Sequence, residues 1–70
     1  MKDTLSIALF QGKSFIGWYR DVENITLMRQ SAKQYEYRSD AFAAKAWIET
    51  NWFRIHSYSV TATVLTNYGT

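Results

Sequence analysis

The sequence predicts a small α+β domain of two layers, in which an antiparallel sheet of about four strands carries one helix on one face, in the order β-β-β-α-β. Apolar and polar residues alternate near both ends of the chain, and an alanine-rich stretch lies between the alternating segments. The 70 residues include no proline and only 3 glycines, so there is no sign of a linker. We therefore expect residues 1–70 to form a single domain.

The first strand is predicted over residues 4–10. Leu5, Ile7 and Leu9 alternate there with smaller residues, which is the pattern of a half-buried strand. A short connection containing Gly12 follows, and glycine suits the positive φ of a hairpin turn. We expect the three apolar side chains to face the core.

The second strand is predicted over residues 14–20. Regular alternation places Ile16 and Trp18 on the face that the helix covers, and it places Phe15 and Tyr19 on the opposite face.

The segment 25–38 fits two patterns. Ile25 and Leu27 alternate as in a strand and would turn toward the helix, yet Ile25, Met28 and Tyr35 also fall at helical spacing. The β-forming residues at both ends of the segment favour a third strand, bent near its middle.

The helix is predicted from Ala41 to about Asn51. Four alanines in this stretch favour helix, and Ser39 or Asp40 would cap its first turn. We expect Trp47 to face the sheet.

The last strand is predicted over residues 55–66, where Val60 and Val64 would face the core. Beyond residue 54 the chain carries no charged residue apart from His56, if that residue is protonated. If this strand lies at a sheet edge, its unpaired backbone groups would accept a strand of another protein or of a second copy. We therefore expect a homodimer or a complex with another protein.

Residues suited to catalysis or metal binding are scarce. The chain has no cysteine and one histidine, His56, which has no base or acid at a supporting spacing. Asp21 and Glu23 are expected to be solvated turn residues, and Gly12 and Gly17 match no phosphate-binding loop. We expect no catalytic residue, no metal site and no cofactor, and thus no enzyme.

Charge and hydropathy indicate where the chain works. The formal net charge is +2, with acidic and basic residues interspersed, and the longest uncharged stretch is broken by polar residues, so no membrane span is expected. The lack of cysteine and of a recognisable signal segment predicts a cytoplasmic protein.

The candidate binding surface follows from the expected layers, because one helix can cover only one face of a sheet. An exposed apolar face is typical of a site that binds another molecule, and its aromatic, methionine and arginine residues are of types enriched in protein interfaces. The expected partner-binding residues are Phe15, Tyr19, Arg20, Met28, Arg29, Tyr35 and Tyr37. We expect a protein-interaction module, and small chains of this kind include inhibitors that phages and other mobile elements direct at host proteins.

The alternative is a protein that binds single-stranded nucleic acid by stacking bases on the same face. The rings would come from Phe15, Tyr19 and Tyr37, and the flanking cations from Arg20, Arg29, Lys33 and Arg38. Acidic residues interleaved with these cations make it the second choice.

Overall fold

A computed structural model describes residues 3–68. Its elements, in chain order, are the strands β1 (Thr4–Gln11), β2 (Ser14–Tyr19) and β3 (Ile25–Thr26), a 3₁₀ helix (Arg29–Ser31), the helix α1 (Arg38–His56) and the strand β4 (Thr61–Asn67). All strand pairs are antiparallel, and the sheet order is β3-β2-β1-β4. The predicted α+β fold and element order are confirmed.

The core lies between the sheet and α1. The helix packs mainly over β1 and β4 and buries Ala41, Ile48 and Trp52. Ile7 and Leu9 of β1 are fully buried beneath it, because alternation brings every second side chain of a strand to the same face. The core cluster also contains Tyr19, Val60 and Ala62, with Ile16, Ile25 and Val64 packed against it.

A β-bulge in β2 reverses the predicted faces of two aromatic residues. Leu9 pairs with Gly17 and Phe10 pairs with Phe15, so β2 carries an extra residue between these pairs. Beyond the bulge the alternation is shifted by one residue. Trp18 therefore lies on the face away from α1 and Tyr19 on the face toward it, and both predictions were wrong.

Gly17 makes this bulge possible. Its φ is +145°, a region that L side chains rarely adopt, and a Cβ at this position would overlap the side chain of Ile25. Because Ile25 belongs to the neighbouring strand, only glycine allows β3 to approach so closely.

The prediction of one bent strand over residues 25–38 was wrong, because this stretch forms only the short strand β3 and then residues 27–34, here called the crossing segment, which contain the 3₁₀ helix. After β3 the chain leaves the sheet at Leu27, which is exposed and not buried as predicted. It returns where Tyr35 forms an antiparallel bridge with Leu5, through backbone N–H···O=C bonds of 2.8 Å in both directions. Tyr35 thus pairs with β1 on the same side as β2, beyond the end of β2.

The helix is longer than predicted at both ends. It begins at Arg38, after Tyr37 in the N-cap position without a side-chain bond, and it ends at His56. The C-cap residue Ser57 has a φ of +67°, and its N–H donates to the Phe53 carbonyl at 2.8 Å. Trp47 is exposed, so its predicted burial against the sheet was wrong. Trp52, four residues beyond Ile48 on the same side, fills that place.

Candidate functional site

The sheet face turned away from α1, here called the open face, carries a row of three aromatic rings. The rings of Phe10 and Phe15 lie edge to face with centroids 5.5 Å apart, and those of Phe15 and Trp18 lie edge to face at 5.7 Å. These residues form the aromatic ladder. They share a face because the bulge places Phe15 and Trp18 on the same side of β2.

Arg29 continues the ladder from the crossing segment. Its guanidinium carbon lies 4.8 Å from the centre of the Trp18 ring, within the range of a cation–π contact. Its Nε donates to Asn67 Oδ1 at 2.5 Å and its Nη2 to the Thr66 carbonyl at 3.0 Å. The side chain thus spans the open face from β2 to β4, which fixes the guanidinium in place.

A group of polar side chains supports Arg29 at the end of β4. Asn67 Nδ2 donates to Ser6 Oγ at 2.6 Å and to Gln34 Oε1 at 2.8 Å. A solvent-open cavity of about 420 Å³ adjoins this group and is lined by Arg29, Gln30, Gln34 and Asn67. These contacts hold the crossing segment against the open face.

Three of the predicted binding residues are exposed near the ladder or on the segment that crosses it. Phe15 is 47% exposed within the ladder, Met28 is exposed, and Arg29 stacks on Trp18. Trp18 joins Phe15 to Arg29, and regular alternation could not have placed it there.

Tyr19 is the predicted binding residue whose expected place on the uncovered face the structure contradicts. Its side chain is buried on the α1 side, where its ring meets that of Trp52 edge to face at 6.2 Å. Burial is the main cause that raises the pKa of its hydroxyl, and the charge of Asp21 adds to it. Tyr19 therefore belongs to the core.

The remaining predicted residues lie apart from the ladder. Arg20 is exposed just after β2, and its N–H donates to the Asn24 carbonyl at 3.2 Å. Tyr37 is exposed where α1 begins. Tyr35 is half-buried, and burial, followed by the effects of Tyr19 and Asp40, raises its pKa to about 12.

Two cations of the nucleic-acid alternative also lie elsewhere. The Lys33 ammonium lies 5.6 Å from the centre of the Tyr35 ring, and Arg38 opens α1. Within residues 3–68, neither Lys33 nor Arg38 contacts a ring of the aromatic ladder.

The strand β4 lies at an edge of the sheet. The sequence predicted that, in this position, the last strand could pair with a strand of another molecule. Leu5 pairs with Thr66, yet its N–H and C=O both bond Tyr35 on the other side of β1. In an antiparallel pair the backbone groups of Thr66 must then point away from β1, and so must those of Val64 and Ala62 at intervals of two. These groups face the free side of the sheet.

Side chains bind two of these outward groups. Glu49 Oε2 accepts the Ala62 N–H at 3.0 Å, and Arg29 binds the Thr66 carbonyl. Between them, the outward N–H and C=O of Val64 have no hydrogen-bond partner within residues 3–68. The centre of the β4 edge is therefore open to another strand.

A second exposed feature lies beside this edge on α1. Phe42, Ala46, Glu49 and Phe53 are spaced by four, three and four residues and so form one row along the helix. Since Glu49 reaches the edge of β4, this row borders the edge. We call Phe42, Ala46 and Phe53 the helix row; its two rings are 46% and 61% exposed.

The helix row was not predicted from the sequence. The predicted helix ended near Asn51, so Phe53 lay outside it. The spacing between Phe42 and Phe53 could therefore not be recognised as helical. The signal that could have revealed the row is the small difference in hydrophobicity between the two sides of the 38–56 segment, which has aromatic rings on nearly every side.

Groups suited to chemistry are few in the described part of the chain. Residues 3–68 contain no cluster of three or more His, Asp or Glu side chains that could hold a metal ion. His56 stacks on Trp52 at 4.0 Å, and its Nε2 lies 2.7 Å from the Val22 carbonyl. Within the same residues, no helix is long and apolar enough to cross a membrane.

Comparison with known proteins found no matching family model, no matching curated protein and no matching solved structure. The surfaces of this chain that bear on its function are the open face and the β4 edge.

Proposed function

We propose that this chain is a non-catalytic protein-binding module whose open sheet face holds the partner. The observation that carries this proposal is the aromatic ladder with Arg29 over Trp18. Tryptophan and arginine are the residues most enriched among those that dominate binding energy in protein interfaces.

Preorganisation of the surface supports the same proposal. The Phe15 ring already contacts the rings of Phe10 and Trp18, and Arg29 is hydrogen-bonded to both Asn67 and Thr66 before any partner arrives. A partner would not have to immobilise these side chains, so less conformational entropy is lost on binding. Phe15, the most exposed ring of the ladder, is the residue expected to contribute most.

Binding of single-stranded nucleic acid remains the second candidate, since the ladder combines rings with a cation. The geometry favours it less, because stacking a base needs a free ring face and Arg29 already occupies a face of Trp18. A labelled oligonucleotide at low salt tests this alternative. Binding that weakens steeply as salt rises would establish phosphate contacts, and absence of binding at low salt would eliminate the candidate.

The protein-binding proposal is tested by affinity capture from a native lysate with three baits. These are the unchanged chain, Phe15→Glu on the open face, and Trp47→Glu on α1 as the matched control of similar exposure, 47% against 42%. We expect the same captured protein with the unchanged chain and with Trp47→Glu, and its loss with Phe15→Glu. Capture that Phe15→Glu leaves intact would place the binding site away from the ladder.

We further propose that the partner is a cytoplasmic protein and that binding inhibits it, as with the small inhibitors of phages and other mobile elements. The lack of cysteine in the sequence supports a reducing compartment for both proteins. Activity of the captured protein, measured with and without the chain, tests the inhibition.

A further inference from the structure

The open centre of the β4 edge and the helix row lie side by side, and no other part of residues 3–68 covers either of them. Val64 offers an unpaired N–H and C=O, and the helix row exposes two phenylalanine rings along the flank of α1 that reaches the same edge. A molecule that covers both must combine an extended strand with an apolar helix at its side. This chain has that combination.

We propose that a second copy of this chain binds here, with β4 of one copy antiparallel to β4 of the other around a two-fold axis at Val64. The two sheets of four strands then form one continuous sheet, with both helices on the same face. Formation of this dimer does not depend on a partner at the open face.

The backbone groups of the edge fit this register. Val64 faces Val64 of the second copy, and each donates its N–H to the other's C=O. On either side Thr66 faces Ala62, so the Thr66 N–H meets the Ala62 C=O. The groups that the structure leaves open along the centre of the edge are the ones used.

Charge selects this register over its neighbours. Glu49 binds the Ala62 N–H and Arg29 binds the Thr66 C=O, so Val64-centred pairing places a carboxylate near a guanidinium at both ends. A register centred on Ala62 would bring Glu49 toward its own copy, and one centred on Thr66 would do the same with Arg29. Like charges opposed across a strand pair are destabilising, so the Val64 register is preferred.

The position of α1 also fits. The helix packs over β1 and β4, and with strands about 4.8 Å apart a helix centred between those two strands lies about 5 Å from the two-fold axis. The two helices would then be about 10 Å apart, close to the 8–10 Å of packed helices. Their facing flanks carry the helix row, so Phe42 and Phe53 would be removed from water.

The dimer also has a consequence for the open faces. Because the two-fold axis is perpendicular to the sheet, both aromatic ladders lie on one surface of the continuous sheet. A partner with two equivalent sites would meet both ladders at once.

Backbone amide exchange tests the strand pairing directly. The amides of Thr63 and Leu65 point toward β1 and are expected to be protected at every protein concentration. The amides of Val64 and Thr66 point outward and are expected to gain protection only as concentration rises and the dimer forms. A Val64 amide that exchanges like a loop amide in a proven dimer would overturn the proposal.

Sedimentation of matched variants tests the helix row. Phe42→Glu and Phe53→Glu change exposed rings, so the fold should survive while dimerisation weakens by a factor of about ten or more. Trp47→Glu, on the other flank of α1, and Phe15→Glu, on the open face, should dimerise normally. A chain that stays monomeric at all concentrations overturns the proposal, as does a dimer that Phe15→Glu dissociates and Phe53→Glu does not.

Discussion

At the residue scale, Gly17 decides which aromatic side chains reach the open face. Its positive φ allows the bulge in β2, and the bulge exchanges the sides on which Trp18 and Tyr19 lie. The binding surface proposed for this chain therefore depends on a residue that has no side chain of its own.

Gly17→Ala should lower the free energy of unfolding by about 2 kcal/mol or more, since the new Cβ meets Ile25 and the backbone is strained. Gly12→Ala is the matched control: its φ is also positive, at +64°, but no atom lies within 4 Å of the added Cβ. Its cost should be about 1 kcal/mol, from backbone strain alone. Urea unfolding of both variants measures the difference, and equal losses would show that contact with Ile25 is unimportant.

Tyr35 makes stability sensitive to alkaline pH. Burial raises its pKa from 10.0 to about 12, so the folded state keeps a proton that the unfolded state loses. This contribution is fully present below pH 10.0 and is lost as pH rises toward about 12.

We expect the Tyr35→Phe variant to lose less stability than the unchanged chain as pH rises from 10.0 to about 12. Urea unfolding at a series of pH values is the measurement. Tyr19, whose pKa is also raised, should leave a smaller residual loss in the variant. Parallel curves for the two proteins would contradict the assignment to Tyr35.

At the element scale, the predicted structure was correct where side-chain alternation continues without interruption. In β1 the alternating residues Leu5, Ile7 and Leu9 are buried toward the helix as predicted, although Ser6 and Ala8 on the opposite face are buried as well. In β2 it failed after Gly17, because a bulge depends on the approach of β3 and local alternation does not report it.

The ends of α1 were mispredicted for a related reason. Ser39 and Asp40 resemble capping residues, yet they lie inside the helix, whose N-cap Tyr37 makes no side-chain bond. The C-cap residue Ser57 follows the helix in a left-handed conformation that glycine usually adopts. Packing of Trp52 and the bond from Ser57 to Phe53 carry α1 past Asn51, and neither is visible in local propensities.

Glu49 joins α1 to β4 and should make their contact sensitive to acid. Its bond from the Ala62 N–H, and then its contact with Lys45 at 2.9 Å, lower the pKa of the carboxyl below 4.5. A lowered pKa gives a contribution to stability that is present above pH 4.5 and is lost as pH falls through the folded-state pKa.

Glu49→Gln should therefore lower the free energy of unfolding at neutral pH by up to about 1 kcal/mol. This value is small because the side chain is partly exposed. The difference should shrink as pH falls below 4.5. Unfolding at low protein concentration, where any dimer dissociates, is the measurement. A difference that stays constant with pH would rule out the charged form as the cause.

At the scale of the whole molecule, the order of strands with a single helix predicted that one face of the sheet would stay uncovered by a helix. It identified Phe15, Met28 and Arg29 as exposed, and the structure agrees. It omitted Trp18, because the bulge was not visible, and it could not find the contact of Arg29 with Asn67, since 38 positions separate the two residues.

The position of α1 over β1 and β4 also divides the sheet into two halves of unequal strength. β1 and β4 lie under the helix, whereas β3 is a strand of two residues at the opposite edge. Local opening should therefore begin at β3 and spread to the end of β2, while β1 and β4 stay closed until the whole chain unfolds. Because Arg29 follows β3 directly, each such opening would also release the guanidinium from Trp18 for a short time.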